Sequence, residues 1–326
     1  MNRQPPILEV RDLQVSFAAS DFTWPGAARS QVRAVNGVSF QLHEGETLGL
    51  VGESGCGKTT LARAIMGLTE RQSGEVLFKE TLLTAQTLAR FRRETAMIFQ
   101  DPYNALNPRM RVGDTIGEVL QVQKKIPRAQ IGERVMELLS LVGLSAEHAG
   151  RKPATLSGGQ CQRVGIARAL AVSPHLIVAD ECVSALDVSI QAQIINLLID
   201  LRAQMNLTMI FIAHDLAVVR RLCDRIAVLY LGRIVEEGRT EDIFRAPKHP
   251  YTQALLRAIP EIDPDKSLPS EMLAGEPPSP LAIPTGCPFH PRCPMVMTAC
   301  RADPVPILRM AGRQAVACRL FDEVIR

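Results

Sequence analysis

The sequence is poor in aromatic residues. They make up 4% of its 326 residues, with one tryptophan and three tyrosines. Ring platforms for stacking nucleic-acid bases are therefore not expected. An excess of one charge is lacking as well. Against 37 basic residues stand 34 acidic ones, a formal net charge of +3, too even for a polyanion partner. There is no run of about 18 uncharged apolar residues, so no membrane-spanning helix is expected. Nor is there a secretory pattern at the start, because Glu9, Arg11 and Asp12 interrupt the first apolar positions. A cytosolic chain is the expectation. In that compartment eight cysteines argue for free thiols or a metal centre rather than disulfides. Apolar residues make up 46% of the chain and the mean hydropathy is +0.06. Both suit a soluble protein with a real core, in one large or two modest domains.

The most informative stretch is Gly52-Glu53-Ser54-Gly55-Cys56-Gly57-Lys58-Thr59, followed by Thr60. It reads G-x-x-x-x-G-K-T, the phosphate-binding pattern. The apolar run Thr47–Val51 before it has the length of a buried strand, and Leu61–Leu68 after it has helical spacing. Strand, glycine loop and helix start are the context this motif requires. Glycines let backbone N–H groups close on phosphate oxygens, and the helix start adds unpaired N–H groups and a positive dipole end. Lys58 would reach the β- and γ-phosphates, and Thr59 would ligate magnesium.

Strands are expected at Ile7–Val10, Leu13–Phe17 and over Val32–Leu42, the last with a turn at Asn36-Gly37. Phe17, Phe22 and Trp24 are candidates to stack on an adenine ring. Core packing is the other reading of Phe17. Further strands are expected at Gly74–Phe78 and Ala96–Phe99, the latter ending at Gln100. Helices are expected at Ala85–Arg93, Val112–Val122, Arg128–Val142 and Ser189–Met205. Ser157 is placed as an N-cap for a helix over Gln160–Val172. Two continuous apolar runs read as buried parallel strands. Leu176–Ala179 ends in Asp180-Glu181, and Thr208–Ala213 ends in His214-Asp215. Ile226–Tyr230 and Arg233–Glu237 form a hairpin around Leu231-Gly232. Strands alternating with helices indicate a parallel α/β core. Near Ile262 proline and glycine become frequent, which marks a linker or extended segment.

Ligands of open parallel sheets bind beyond the carboxyl ends of the strands. There the sequence puts Lys58 with Thr59, Asp180 with Glu181, and His214. Asp180 suits a magnesium role. Glu181, one residue further, suits orienting and deprotonating an attacking water. Hydrolysis of a γ-phosphate needs mainly positioning and charge neutralisation.

Leu156-Ser157-Gly158-Gly159-Gln160 matches a family signature. From roughly Ile7 to Ile262 the chain resembles the nucleotide-binding subunit of an ATP-binding-cassette transporter. The resemblance implies a P-loop NTPase core of α/β class with a mixed sheet, an antiparallel β subdomain and a helical subdomain, plus a small Cys/Pro-rich C-terminal extension. The expected domains are 1–262, with the helical subdomain at about 101–155, and the extension 263–326. It also implies two domains stacked head to tail around two ATP molecules. Ser157, Gly158 and Gly159, with Gln160, would then contact ATP held on the partner's loop. Gln100 would touch magnesium and report to the membrane subunits. Ser184-Ala185-Leu186-Asp187 would cross the dimer seam. His214 would hold the γ-phosphate and position Glu181. Two positions depart from the family pattern: Cys182 stands where proline is usual, and Cys161 where arginine, glutamine or lysine is commoner. Cys182 gains an N–H and loses a fixed φ.

Asp101-Pro102 through Asn107-Pro108-Arg109, His249-Pro250-Tyr251-Thr252, and a tail with Gly286-Cys287-Pro288-Phe289 and Arg292-Cys293-Pro294 resemble the dipeptide, oligopeptide and nickel importer branch. That resemblance implies an ATPase energising peptide import. It would lie peripherally on the cytoplasmic face of the bacterial inner membrane. Its partners would be a second ATPase subunit, two membrane permeases and a periplasmic solute-binding protein. Uptake of nickel or another solute, and a soluble non-transport cassette protein, are the alternatives. The late cysteines Cys287, Cys293, Cys300 and Cys318 are spaced C-x5-C-x6-C-x17-C, without the tight pair usual for zinc. An iron–sulfur cluster of the [4Fe-4S] kind, zinc, and unligated thiols all stay open.

Overall fold

The computed structural model describes residues 5–18, 31–258 and 275–324. In chain order the strands are β1 (Leu8–Ala18), β2 (Gln31–Leu42), β3 (Thr47–Val51), β4 (Ser73–Phe78), β5 (Thr81–Leu82), β6 (Thr95–Ile98), β7 (Leu176–Asp180), β8 (Thr208–Ile212), β9 (Arg225–Tyr230), β10 (Arg233–Arg239), β11 (Arg309–Ala311) and β12 (Gln314–Val316). The α-helices are α1 (Lys58–Ile65), α2 (Leu88–Arg92), α3 (Val112–Gln123), α4 (Ile131–Leu141), α5 (Gly158–Leu170), α6 (Val188–Met205), α7 (Leu216–Leu222), α8 (Thr240–Arg245) and α9 (Pro250–Arg257). The chain falls into two compact units. The first comprises Met1–Ile7, Leu42–Thr47 and Phe78–Ala213, and the second Leu8–Gln41, Leu48–Leu77 and His214–Arg326.

In the first unit β6, β7 and β8 pair in parallel, with Thr95 opposite Leu176 and Asp180 opposite Ile212. All three strands are buried along their whole length. This is why they read as unbroken apolar runs rather than alternating ones. Parallel pairing puts their carboxyl ends, and so Gln100, Asp180 and Glu181, on one side. α3, α4 and α5 pack together. α4 buries Ile131, Val135, Leu138 and Leu139, a stripe at helical spacing. Its three leading residues, Arg128–Gln130, form a separate 3-10 turn.

In the second unit β3 pairs in parallel with β9, and β9 pairs antiparallel with β10. The turn between β9 and β10 is the expected one: Leu231 and Gly232 both have positive φ (44° and 74°), the geometry that matches strand twist in a tight hairpin. The tail continues this sheet. β12 pairs with β10 and β11 with β12, both antiparallel. Two expectations fail nearby. The two strands expected before residue 18 are one, running through Asp12 at φ 43°. Asn36-Gly37 is no hairpin turn but an irregularity inside β2. Gly37 has φ 78°, and a Cβ there would come within 2.7 Å of Asp12 Oδ1. The Asp12 N–H donates to Ser39 Oγ at 2.8 Å. Two distorted strands fit each other here, and short-range turn statistics carry no trace of that.

The second unit has an aromatic centre. Tyr230, Tyr251 and Phe289 are among its largest fully buried side chains. Their ring centroids lie 4.6–5.4 Å apart, tilted or edge-on, the arrangement favoured by ring quadrupoles. His249 leans on Phe289 at 5.7 Å and caps α9, its Nδ1 accepting from the Tyr251 N–H at 3.1 Å. The N-terminus of the same helix is held by buried Glu236. Its two carboxylate oxygens accept from the Lys248 and His249 N–H groups at 2.8 and 2.9 Å.

Burial pushes the His249 imidazole down to about 3, against about 6.5 when unfolded. The unfolded ring therefore takes up a proton below about pH 6.5 that the native ring refuses, so native stability is lost as pH falls through that range. Between pH 6.5 and 5 this single group is expected to remove about 2 kcal/mol. Asparagine keeps the capping acceptor without titrating. His249→Asn is expected to flatten that part of the stability–pH curve, measured by urea unfolding of both proteins.

Candidate functional site

The phosphate loop leaves the wholly buried β3 and enters α1. Gly52, Gly55 and Gly57 all have positive φ (153°, 77° and 106°). At Gly57, the N-cap of α1, a Cβ would lie 2.2 Å from the carbonyl oxygen of Ala34. Glycine is needed there for space as well as for conformation. Around Gly55 the space is open for at least 4 Å. The first turn of α1 has no acidic residue and no side-chain cap, so nothing of the helix's own competes with an anion at its N–H groups. Lys58 is 4% exposed. Its ammonium donates to the carbonyls of Gly52 and Glu53 at 2.8 and 3.0 Å, curled over the loop it serves. Ser54 and Gly55 face solvent, while Thr59 and Thr60 are half-buried in the first turn. Phe17, 44% exposed at the end of β1, keeps a free face. Phe22 and Trp24 lie outside the described residues.

In the first unit Asp180 ends β7 with its side chain buried. Glu181 follows at φ 44°, a conformation costing an ordinary residue about 1–3 kcal/mol. The surroundings hold it there. The Glu181 N–H donates to Ile212 O at 3.1 Å, and its carbonyl accepts from Ser184 N and Oγ at 3.1 and 2.9 Å. Its side chain swings toward Gln100, whose Nε2 donates to the carboxylate at 2.9 Å. The structure thus joins two residues that lie far apart in the sequence and were read separately from it. The positive φ left no mark in the sequence.

Ser157 caps α5 as expected, and the helix begins at Gly158. The cap is a full capping box: Gln160 N–H to Ser157 Oγ at 3.3 Å and Ser157 N–H to Gln160 Oε1 at 3.0 Å. A Cβ on Gly159 would meet Ile190 Cγ2 at 2.5 Å, so this glycine also lets α5 approach α6. Asp187 is exposed at the start of α6, beside Val188, which is 82% exposed. His214, exposed, opens the last segment of the second unit, and Asp215 caps α7 by accepting from the Ala217 N–H at 2.8 Å.

Two residues with no site role assigned from sequence act on the loop. The Tyr251 hydroxyl accepts the Glu53 N–H at 2.9 Å, and the Arg292 guanidinium grips the Glu53 carboxylate. Their signal was present in the His-Pro-Tyr and Arg-Cys-Pro motifs, which marked a family branch without saying what the residues touch.

The late cysteines are free thiols. Burial raises Cys287 and Cys293, and pushes Cys318 up to about 11. Among the described residues no group of three or more His, Cys, Asp or Glu side chains is arranged to hold a metal ion. The iron–sulfur reading of Cys287, Cys293, Cys300 and Cys318 is therefore unsupported. Magnesium is different in kind. Thr59 carries a hydroxyl, Gln100 an amide and Asp180 a carboxylate oxygen, each a hard donor of the kind that magnesium takes.

Comparison with known proteins agrees with this chemistry. Residues 35–184 match the ABC transporter family, and residues 235–300 match the C-terminal region of oligopeptide/dipeptide transporters. The oligopeptide transport ATP-binding protein OppF of Escherichia coli is 48% identical over 97% of this chain and 96% of its own length. The di/tripeptide transport ATP-binding protein DppF of Pseudomonas aeruginosa is 46% identical over 98% and 99%. Among solved structures, a dimeric ATP-binding cassette in a post-hydrolysis state with ADP and Pi bound superimposes with a TM-score of 0.62. It is 28% identical and covers 72% of this chain and 98% of that one. With a phosphate loop, a strand-end Asp-Glu pair and a capped Ser-Gly-Gly-Gln helix on one P-loop ATPase fold, the chain belongs to the ATP-binding subunits of the ABC transporter family.

Proposed function

We propose that this chain is the ATP-hydrolysing subunit that energises import of di- or oligopeptides. The observation that carries the reading is the near-complete alignment with peptide-transport ATP-binding proteins, tail included. The domains are the cassette, 1–262, with a helical subdomain at about 101–155, and the extension 263–326. Among the described residues no helix is long and apolar enough to cross a membrane. By its likeness to ATP-binding subunits of peptide importers, the subunit works peripherally, on the cytoplasmic face. Two membrane permeases, a second ATPase subunit and an external solute-binding protein complete the importer. Val188, exposed beside Asp187, is the sort of apolar surface that a partner subunit would cover.

The geometry of the loop and the strand ends supports the following residue roles. The loop 52–60 receives the phosphates through backbone N–H groups, and Lys58 neutralises charge developing on the γ-phosphoryl group. Phe17 offers a ring face to adenine. Thr59, Asp180 and Gln100 would hold magnesium, which would supply charge neutralisation for the phosphates. Glu181 accepts the proton of the attacking water, and Gln100 orients its carboxylate. His214 steadies the γ-phosphate. Ser157, Gly158, Gly159 and Gln160 present a helix start to ATP on the partner's loop, as α1 does to its own. Asp187 lies in the segment that crosses the seam.

Glu181→Gln keeps the shape of the side chain but removes the proton acceptor. In the assembled transporter it is expected to bind ATP normally and to lower hydrolysis about 100-fold or more, measured by phosphate release. Hydrolysis near the wild-type rate would remove Glu181 from the role. The peptide assignment is tested in the reconstituted importer. ATPase activity is expected to rise when the binding protein is loaded with di- or oligopeptides. Stimulation by nickel alone would reassign the solute.

A further inference from the structure

We propose that Arg292, carried by the tail, is a positioning residue for the nucleotide. It neutralises the Glu53 carboxylate and so keeps the phosphate loop receptive to an anion. The proposal rests on the reading of residues 52–60 as the ATP-phosphate site.

Glu53 lies inside a loop whose function is to attract phosphate, and its own charge opposes that function. Its surroundings answer both the charge and the freedom of the residue. Arg292 NH1 and NH2 donate to the two carboxylate oxygens at 2.8 and 3.0 Å, a parallel two-pronged pairing that fixes orientation as well as charge. The Arg292 side chain is 5% exposed and that of Glu53 23%, so solvent screens the pair little. The Glu53 N–H is taken by the Tyr251 hydroxyl, and its carbonyl by Lys58 Nζ and, at 3.3 Å, by the Cys56 N–H. Every polar group of this one residue is thereby engaged. The phosphate-facing backbone beyond it is held in shape before any ligand arrives, which lowers the ordering cost of binding.

The tail is built to deliver the guanidinium. Phe289 is buried among Tyr230, Tyr251 and His249. The next residues wind into a 3-10 turn, with the His290 N–H on Cys287 O at 2.9 Å and the Arg292 N–H on Phe289 O at 3.0 Å. Arg292 thus starts from a fixed point three residues past a core anchor. Glu236, by holding the start of α9, aims Tyr251 at the same residue from the other side.

A purely structural ion pair and a positioning role make different predictions. In the assembled transporter Arg292→Ala is expected to raise the KM for ATP about tenfold with kcat within about twofold. The cause is an uncompensated carboxylate beside the anion site. Arg292→Lys, keeping charge but losing the fork, is expected to fall between. The decisive variant is Arg292→Ala with Glu53→Gln, which removes the repelling charge and is expected to restore most of the lost affinity. A purely structural ion pair would instead show as lost thermal stability with the KM for ATP unchanged. Thermal unfolding of each variant accompanies the kinetics, and Arg292→Lys serves if the alanine variant does not fold. The proposal is overturned if the folded variants keep the wild-type KM, if kcat falls while KM stays, or if the double variant binds no better than the single one. Lys58→Ala separates the two layers. Loss of ATP binding there with none in Arg292→Ala leaves the loop reading intact and removes this one. Wild-type binding by Lys58→Ala overturns both.

Discussion

The phosphate loop is squeezed between backbones. A Cβ at Gly57 would strike the carbonyl of Ala34 in β2, and one at Gly52 would lie 2.3 Å from the carbonyl of Leu229 in β9. At these two glycines the loop therefore has neither room nor freedom to take another course. The same crowding buries Lys58, whose charge is met by two carbonyl dipoles of its own loop. Dipoles satisfy a buried ammonium only in part. An anion in front of it would complete the neutralisation.

Much of this was legible because it is local. The G-x-x-x-x-G-K-T pattern, the apolar runs of β3, β7 and β8, the cap at Ser157 and the turn at Leu231-Gly232 are each decided within a few residues. Buried parallel strands leave an apolar run, caps a polar residue at a helix start, and tight turns a glycine. The fold follows from such pieces, since strands alternating with helices have few ways to pair.

What was not legible is long-range. Nothing in the spacing of Asn36-Gly37 tells that Gly37 faces Asp12 across a strand pair, so a turn reading was reasonable and wrong. Nothing around residue 53 tells that a guanidinium 239 positions later will hold its carboxylate, or that Tyr251 will take its N–H. The His-Pro-Tyr motif shows the limit clearly. Its proline begins α9, its histidine caps α9 and its tyrosine reaches the phosphate loop. Three adjacent residues thus do three jobs, and only the proline's has a sequence rule behind it.

Cys182 can now be weighed by its surroundings. A proline at this point would hold the backbone after Glu181 by its ring. The cysteine cannot, which from sequence alone left the catalytic loop in question. In the structure Glu181 is pinned from both sides instead, by Ile212 O on its N–H and by Ser184 on its carbonyl. The thiol itself is buried, and burial pushes it up to about 12. It therefore stays neutral next to Asp180 and adds no charge to the loop. The strained φ of Glu181 is thus held by hydrogen bonds rather than by a ring, and the lack of a proline acts more by leaving the unfolded chain extra conformational entropy to lose on folding than by loosening the folded loop.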